Sequence, residues 1–177
     1  MEATQPCSCT VQAPEPYPEL RAAGQNRHYA EAMLSNLGGD YSEMSAVSRY
    51  FYGHLVTNGY PEVASVLMDI SKVEMHHLDI FGTLARQLGA DPRLWCSRRG
   101  RRYWWSPEYL QYTRKLGPLI QNAIRAERMT IQKYEQQLRW IRDANVTANL
   151  QRVILDEQLH VEVLTGLAAA YGTQLRS

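Results

Sequence analysis

The chain has 177 residues, of which 45% are hydrophobic and 21% are charged, and its formal net charge is +1 at pH 7. This composition is typical of a globular protein with one compact domain, and the balanced charge argues against binding to nucleic acid or to an anionic membrane. No apolar run reaches the roughly 18 residues of a membrane span.

Residues 1–24 contain four of the eight prolines and show no helical or strand periodicity. They are predicted to form a flexible, proline-rich tail. The segment lacks the basic start and the apolar stretch of a secretory signal, and three cysteines, an odd number, give no disulfide framework. A reducing cytoplasm is therefore the expected compartment.

Residues 25–177 are predicted to form one all-α domain. Four long helices are expected over roughly 27–57, 61–89, 118–143 and 146–171, because apolar residues recur there at helical spacing. Pro61 suits the first turn of the second helix. The long connector between the second and third helices is rich in aromatic residues and arginines, and a short helix is expected after Ser106 and Pro107.

The inward-facing apolar stripes of these helices carry polar residues of the kinds that bind metals. Steps of three and four residues place a glutamate on each helix, and a histidine on two of them, among leucine, isoleucine and valine. Buried carboxylates without a partner are very costly, so this placement needs an explanation. The six residues are Glu43, Glu74, His77, Glu127, Glu157 and His160.

The chain contains an internal repeat that includes all six residues. KVEMHHLDIFGTLA (72–85) aligns with LDEQLHVEVLTGLA (155–168), and EMSAVSRY (43–50) aligns with ERMTIQKY (127–134). The alignment pairs His77 with His160, so the neighbouring His76 is predicted to be a flanking residue. The chain therefore reads as two similar helical hairpins, each with one glutamate followed by one Glu-x-x-His.

This pattern predicts a site for two metal ions. Residues three apart share a helix face, so each Glu-x-x-His directs two ligands to one point. Four carboxylates balance the charge of two divalent cations. The oxygen and nitrogen donors suit iron or manganese rather than a sulfur-rich zinc or copper site, and two iron or two manganese ions per chain are both compatible with the pattern.

At these residues the sequence resembles the ferritin-like dimetal-carboxylate superfamily, whose ligands are a glutamate from each of two helices and a Glu-x-x-His from each of the other two. The resemblance covers roughly 27–171 and implies an antiparallel four-helix bundle in which the six residues are metal ligands. Tyr50 and Tyr134 would lie beside the metals and donate a hydrogen bond or an electron, although a core tyrosine with a satisfied hydroxyl explains Tyr50 equally well.

Asp156 resembles the aspartate that holds a ligand histidine in bacterioferritins. Its counterpart in the repeat is Val73, so the two metal positions are expected to differ. The spacing between ligands resembles that of manganese catalases more than that of bacterioferritins, and the chain has no paired Cys-x-x-Cys module of the rubrerythrin type. The nearest match is a small bacterial protein between manganese catalases and rubrerythrins.

The resemblance implies an oxidoreductase that acts on hydrogen peroxide or dioxygen, as a catalase or peroxidase in oxidative-stress defence. Two alternatives stay open: oxidation and handling of ferrous iron, as in bacterioferritins, or a structural or coat protein whose helices the metal only staples together. A homo-oligomer is expected, and the sequence does not identify an electron donor.

Three further groups of residues stand out in the sequence. Cys7, Cys9 and Cys96 are expected to be thiols without a partner rather than redox or metal-binding groups. The arginines of SRRGRR (97–102) favour a solvated loop or subunit contact over a phosphate or nucleic-acid site. Trp95, Trp104 and Trp105 are expected to cover the bundle or to build an oligomer interface.

Overall fold

A computed structural model describes residues 10–171 of the chain. The described part is mostly helical, as the sequence predicts, and also contains one small two-stranded sheet. None of its helices is both long enough and apolar enough to cross a membrane. The elements in chain order are α1 (Arg27–Gly38), α2 (Glu43–Val56), α3 (Pro61–Gln87), β1 (Trp95–Arg98), β2 (Arg101–Trp104), a 3-10 turn (Pro107–Tyr109), α4 (Leu116–Leu138) and α5 (Ala144–Ala170).

Helices α2 and α3 pack against each other, as do α4 and α5, and α3 also contacts α5. Two apolar clusters fill the interior. One joins α1 to the C-terminal half of α3 and the N-terminal half of α5, around Phe81 and Val153. The other joins α2 to the N-terminal halves of α3 and α4, around Leu67 and Ile120. The polar residues of α3 and α5 lie between these clusters along each helix.

The single helix predicted over residues 27–57 is wrong, because the structure divides it into α1 and α2. A Cβ atom on Gly38 would lie 2.6 Å from the backbone nitrogen of Trp95, so the approach of the connector requires glycine here. Ser42 then caps α2 by accepting a hydrogen bond from the amide of Ser45. The division makes Glu43 the first residue of α2.

Residues 11–23, which we call the N-terminal strap, lie against the helices, so the predicted flexible tail is wrong for this part. Val11 is buried among apolar residues of α2–α5. At the other end, the amide of Ala22 donates to Gln87 (2.7 Å) and the amide of Ala23 donates to Asp143 (2.7 Å). Residues 1–9, which include Cys7 and Cys9, lie outside the described residues.

The connector is ordered by a β-hairpin that the sequence reading missed. Arg99 and Gly100 have φ values of 51° and 74°, which a two-residue hairpin turn of type I′ requires. The Trp105 indole donates to Ser45 Oγ (3.0 Å), which ties the connector to α2. The 3-10 turn at Pro107–Tyr109 confirms the short helix predicted there, and Cys96 is a buried free thiol in β1.

The arginines beside this hairpin make contacts within the chain. Arg98 pairs with Asp40 (2.8 Å), and the Arg102 guanidinium lies 4.3 Å from the ring centre of Trp95. Of the tryptophans, Trp95 packs against the first apolar cluster whereas Trp104 is exposed. The hairpin therefore covers the helices on one side and leaves an aromatic side chain in solvent on the other.

Candidate metal centre

The structure brings the six predicted ligand residues together in one buried cluster. Helices α2 and α4 each supply one glutamate, and α3 and α5 each supply a glutamate and a histidine three residues later. Every one of the six side chains is at most 1% exposed. The cluster therefore consists of Glu43, Glu74, His77, Glu127, Glu157 and His160, as the sequence analysis predicts.

Four of these residues form a first potential metal-binding set around His77. One donor atom each from Glu43, Glu74, His77 and Glu157 lies within 4.8 Å of the others. The Nδ1 atom of His77 is 3.2 Å from Glu74 Oε2, 3.4 Å from Glu157 Oε1 and 3.8 Å from Glu43 Oε2. This nitrogen therefore points into the cluster, toward three carboxylates.

A second set surrounds His160 and shares two carboxylates with the first. It consists of Glu74, Glu127, Glu157 and His160, again with donor atoms within 4.8 Å of one another. The Nδ1 atom of His160 is 3.1 Å from Glu74 Oε1 and 3.3 Å from Glu157 Oε2. Glu74 and Glu157 therefore belong to both sets, whereas Glu43 and Glu127 each belong to one.

Several carboxylate oxygens in the cluster accept no hydrogen bond. Glu43 Oε2, Glu74 Oε1 and Glu157 Oε1 are all buried without a hydrogen-bonding partner, although an imidazole nitrogen lies close to each. Buried acceptors are rarely left in this condition, because they lose their hydration without replacement. Three such oxygens converging with two imidazole nitrogens form a donor set suited to cations.

Two tyrosines cross between the halves of the cluster. The Tyr50 hydroxyl of α2 donates to Glu127 Oε1 of α4, and the Tyr134 hydroxyl of α4 donates to Glu43 Oε1 of α2. Both tyrosines are fully buried. Each tyrosine therefore orients the glutamate of the opposite half, and the repeat seen in the sequence becomes a reciprocal pair of contacts.

The carboxyl groups of the cluster differ in the direction of their pKa shifts. Burial raises the pKa of Glu43 and of Glu127, helped by the negative charges of Glu74 and Glu157. Burial also opposes ionisation of Glu74 and Glu157, but hydrogen bonds from the histidines outweigh it and lower the pKa of both carboxyls. The shifts therefore favour the protonated form of Glu43 and Glu127 and the ionised form of Glu74 and Glu157.

The pKa values of both histidines are raised. Burial opposes their charging, but the surrounding carboxylates outweigh it and raise the pKa of both imidazoles: Asp156, Glu157, Glu43 and Glu74 for His77, and Glu157 and Glu74 for His160. The shifts therefore favour protons on the two histidines, and divalent cations bound here would compete with protons for the same atoms.

The outward nitrogens of the two histidines have different partners. His77 Nε2 lies 2.9 Å from Asp156 Oδ2, as expected for an aspartate that holds a ligand histidine. His160 Nε2 lies 2.9 Å from the backbone carbonyl oxygen of Val11, in the N-terminal strap. The two halves of the cluster are therefore not equivalent, which agrees with the prediction made from Asp156 and Val73.

The sequence reading missed three residues that lie behind the histidines: Val11, Tyr17 and Arg152. Tyr17 donates to Asp156 Oδ2 (2.5 Å), and the buried Arg152 pairs with Asp156 Oδ1 (2.7 Å). The signal available in the sequence was an arginine, Arg152, four residues before Asp156 and so on the same face of α5. Other residues lie outside the cluster: His76, Asp79 and Glu162 are exposed.

Two solved structures have a fold similar to that of this chain. The structures of wild-type KatB from Anabaena and of KatB from Anabaena PCC7120, both described as manganese catalases, superpose with TM-scores of 0.81 and 0.80. The chain is 20% identical to both. The alignments cover 93% and 91% of this chain, and 81% and 80% of the other chains.

The chain therefore has the fold of these two structures. The family described as manganese-containing catalase also matches residues 18–96, which is less than half of the chain. This part of the chain includes Glu43, Glu74 and His77 but not the ligand-type residues of α4 and α5. No curated protein sequence matches the chain.

Proposed function

We propose that the protein binds two manganese ions at the six-residue cluster and converts two molecules of hydrogen peroxide into dioxygen and two molecules of water. The observation that carries this proposal is the pair of ligand sets joined by Glu74 and Glu157. The match of residues 18–96 to manganese-containing catalase and the KatB-like fold support the choice of metal and substrate.

The residues present fit a pair of divalent cations. All donor atoms are carboxylate oxygens or imidazole nitrogens, which manganese and iron accept. Four ionised carboxylates would neutralise two such ions, and the three carboxylate oxygens that lack hydrogen bonds are in place to bind them. In this assignment Glu43 and His77 would hold one ion, Glu127 and His160 would hold the other, and Glu74 and Glu157 would serve both.

When bound, two manganese ions supply the two-electron oxidation and reduction that the conversion of peroxide requires. One peroxide is reduced to two waters and the next is oxidised to dioxygen, so the protein needs no external electron donor. Catalase chemistry is thus consistent with a cluster whose ligands come from one chain. The physiological role in this proposal is the removal of peroxide.

The chain's own residues keep the site rigid and dry. Tyr50 and Tyr134 hold the two non-shared glutamates through the crossed hydrogen bonds. Each of these glutamates thereby keeps one oxygen committed to a tyrosine, while Glu43 Oε2 stays free for a cation. Complete burial of the six side chains excludes bulk water, which strengthens the electrostatic interactions inside the cluster. In this proposal α2–α5 form the antiparallel four-helix bundle of the superfamily.

Metal analysis combined with an oxygen electrode tests this proposal. The protein is purified from cells supplied with both iron and manganese, and bound metal is counted by mass spectrometry. We expect about two manganese ions per chain, as the superfamily ligand plan requires, and release of dioxygen from peroxide. Glu74→Ala is the control, because it removes a shared ligand and should abolish both results.

Two other outcomes would contradict the proposal. About two iron ions, with ferrous oxidation and no dioxygen release, would favour iron handling, which the same ligand plan permits. Bound metal without either activity would favour a structural role. A folded protein that binds neither metal would reject the dimetal assignment itself.

A further inference from the structure

The N-terminal strap reaches both histidines of the metal centre from outside. Its Val11 carbonyl accepts the Nε2–H of His160 at 2.9 Å. Because a carbonyl can only accept, this contact fixes the proton on Nε2 and leaves Nδ1 of His160 for the interior of the cluster. A backbone atom distant in sequence thus sets the tautomer of a candidate ligand.

The strap reaches His77 indirectly, through Asp156. Asp156 Oδ2 accepts the Nε2–H of His77 at 2.9 Å and the Tyr17 hydroxyl at 2.5 Å. Its other oxygen, Oδ1, accepts the backbone amide of Ala13 at 2.7 Å. Two groups of the strap therefore orient the carboxylate that in turn orients His77.

Arg152 anchors this part of the strap to α5. Its Nε donates to the carbonyl of Glu15 (2.6 Å) and its Nη2 donates to the carbonyl of Ala13 (2.8 Å). The guanidinium also lies 4.1 Å from the ring centre of Tyr17, and Arg152 is only 4% exposed. A buried cation committed to two strap carbonyls indicates that the strap is a fixed part of the fold.

The strap's prolines suit this role. Pro14 and Pro16 lack an amide hydrogen, so they present no unpaired donor where the chain lies over the helices. Their fixed φ also reduces the conformational entropy lost when the segment docks. The proline content that suggests flexibility in the sequence therefore favours one fixed conformation in the structure.

We propose that the N-terminal strap is a positioning element of the metal centre and makes the two metal positions unequal. His77 has a carboxylate behind it, and His160 has a neutral carbonyl. A histidine whose outer N–H is held by a carboxylate is the more basic ligand, so the ion beside His77 is held more tightly than the ion beside His160. This inference rests on the proposed function, because it requires metal at both positions.

The test is the rate at which a fluorescent chelator in excess removes manganese from the loaded protein. We expect two phases of equal amplitude in the unaltered chain. Glu43→Gln and Glu127→Gln, which weaken one ligand set each, assign the slow phase to the His77 position and the fast phase to the His160 position. Bound metal is counted first, so that loss of the centre itself is detected separately.

Two variants then separate the contacts of the strap. Deletion of residues 2–12 removes the Val11 carbonyl and should accelerate only the fast phase, by about tenfold, the usual effect of losing such an outer contact. Tyr17→Phe removes one hydrogen bond to Asp156 and should accelerate only the slow phase. Circular dichroism verifies that each variant keeps its helices.

Two matched controls loosen the strap without removing these contacts. Val11→Ala keeps the carbonyl but loses buried apolar surface. Gln87→Ala releases the far end of the strap, where Gln87 binds Leu20 and Ala22. Both should lower the unfolding temperature and leave the two release rates unchanged.

Several results would overturn the inference. These are a single release phase from a protein that holds two ions, unchanged rates in both strap variants, or equal acceleration of both phases in the strap variants and the controls. The last result would mean that the strap contributes only stability. A protein that binds no manganese would overturn the proposed function, and this inference with it.

Discussion

The two helical hairpins of this protein, α2–α3 and α4–α5, are alike toward the centre of the molecule and different away from it. Toward the centre, each supplies one glutamate, one Glu-x-x-His and one tyrosine, and the tyrosines bond across to the opposite glutamate. Away from it, His77 meets Asp156, whereas His160 meets the Val11 carbonyl.

This comparison separates what the repeat preserves from what it does not. The shared residues include the six that a pair of cations would contact, so the geometry of the site determines their arrangement. The different parts come from elements that occur once, the strap and the residues of α5 that bind it. A ligand plan can therefore be symmetric while the two positions within it are chemically distinct.

Replacing the glutamates of the cluster should have the largest effect on metal binding. It tests the part of the centre that the two hairpins have in common. Glu74→Ala or Glu157→Ala removes a ligand from both sets, so we expect bound manganese to fall from about two ions per chain to nearly none. Glu43→Ala or Glu127→Ala should leave about one ion, because each belongs to a single set. Mass spectrometry of dialysed protein measures this, and equal losses in all four variants would contradict the sharing.

The pH dependence of metal binding tests whether protons compete with cations in both halves of the cluster. The pKa values of Glu43, Glu127, His77 and His160 are raised, which favours the protonated form of these four groups in the metal-free protein. Cations and protons compete for the same atoms, so lowering the pH should weaken binding and raising it should strengthen binding.

The number of protons released measures this competition directly. Loading with manganese in weak buffer at pH 7 should release protons from the two carboxyl and two imidazole groups whose pKa values are raised, as a pH-stat titration would show. Loading without proton release would contradict the raised pKa values of these groups.

Tyr50→Phe and Tyr134→Phe form a matched pair for the crossed contacts. Each removes the donor to one buried carboxylate oxygen, which should lower the free energy of unfolding by about 1–3 kcal/mol. Because the contacts are reciprocal, the two losses should be similar. Urea unfolding of the metal-free variants measures them, and a large inequality would show that the halves differ at the centre as well as outside it.

One glycine substitution probes the break between α1 and α2, which has no counterpart before the second hairpin, and another serves as its control. Gly38→Ala places a methyl group against the backbone of Leu94 and Trp95 and should destabilise the fold by about 1–3 kcal/mol. Gly166→Ala, at an exposed position of α5 with nothing within 4 Å, should stabilise it by up to about 1 kcal/mol. Thermal unfolding decides, and a neutral Gly38→Ala would contradict the close approach of the connector.

The sequence was sufficient to predict most of the helical segments and the six residues that meet in the cluster. Both predictions depended on local periodicity and on the internal repeat. These can be read from the sequence without knowing which distant residues are in contact. The break at residues 39–42 also left a signal in the sequence, because Gly38, Gly39 and the capping Ser42 stand together. The apolar pattern on either side suggested one continuous helix instead.

The strap could not be predicted in the same way. Its conformation has no regular period, and it is held by residues far away in the chain. Arg152 binds the carbonyls of Ala13 and Glu15, and Gln87 binds the segment near its end. Proline content alone does not distinguish a free segment from one that is docked in an extended form.

The central claim is that two metal ions share Glu74 and Glu157. The most direct test is to count manganese in the purified, dialysed protein by mass spectrometry, with the Glu157→Ala variant measured beside it. We expect about two ions per chain in the unaltered protein and almost none in the variant, as the superfamily ligand plan requires. One ion per chain, or a variant that keeps an ion, would contradict the shared centre.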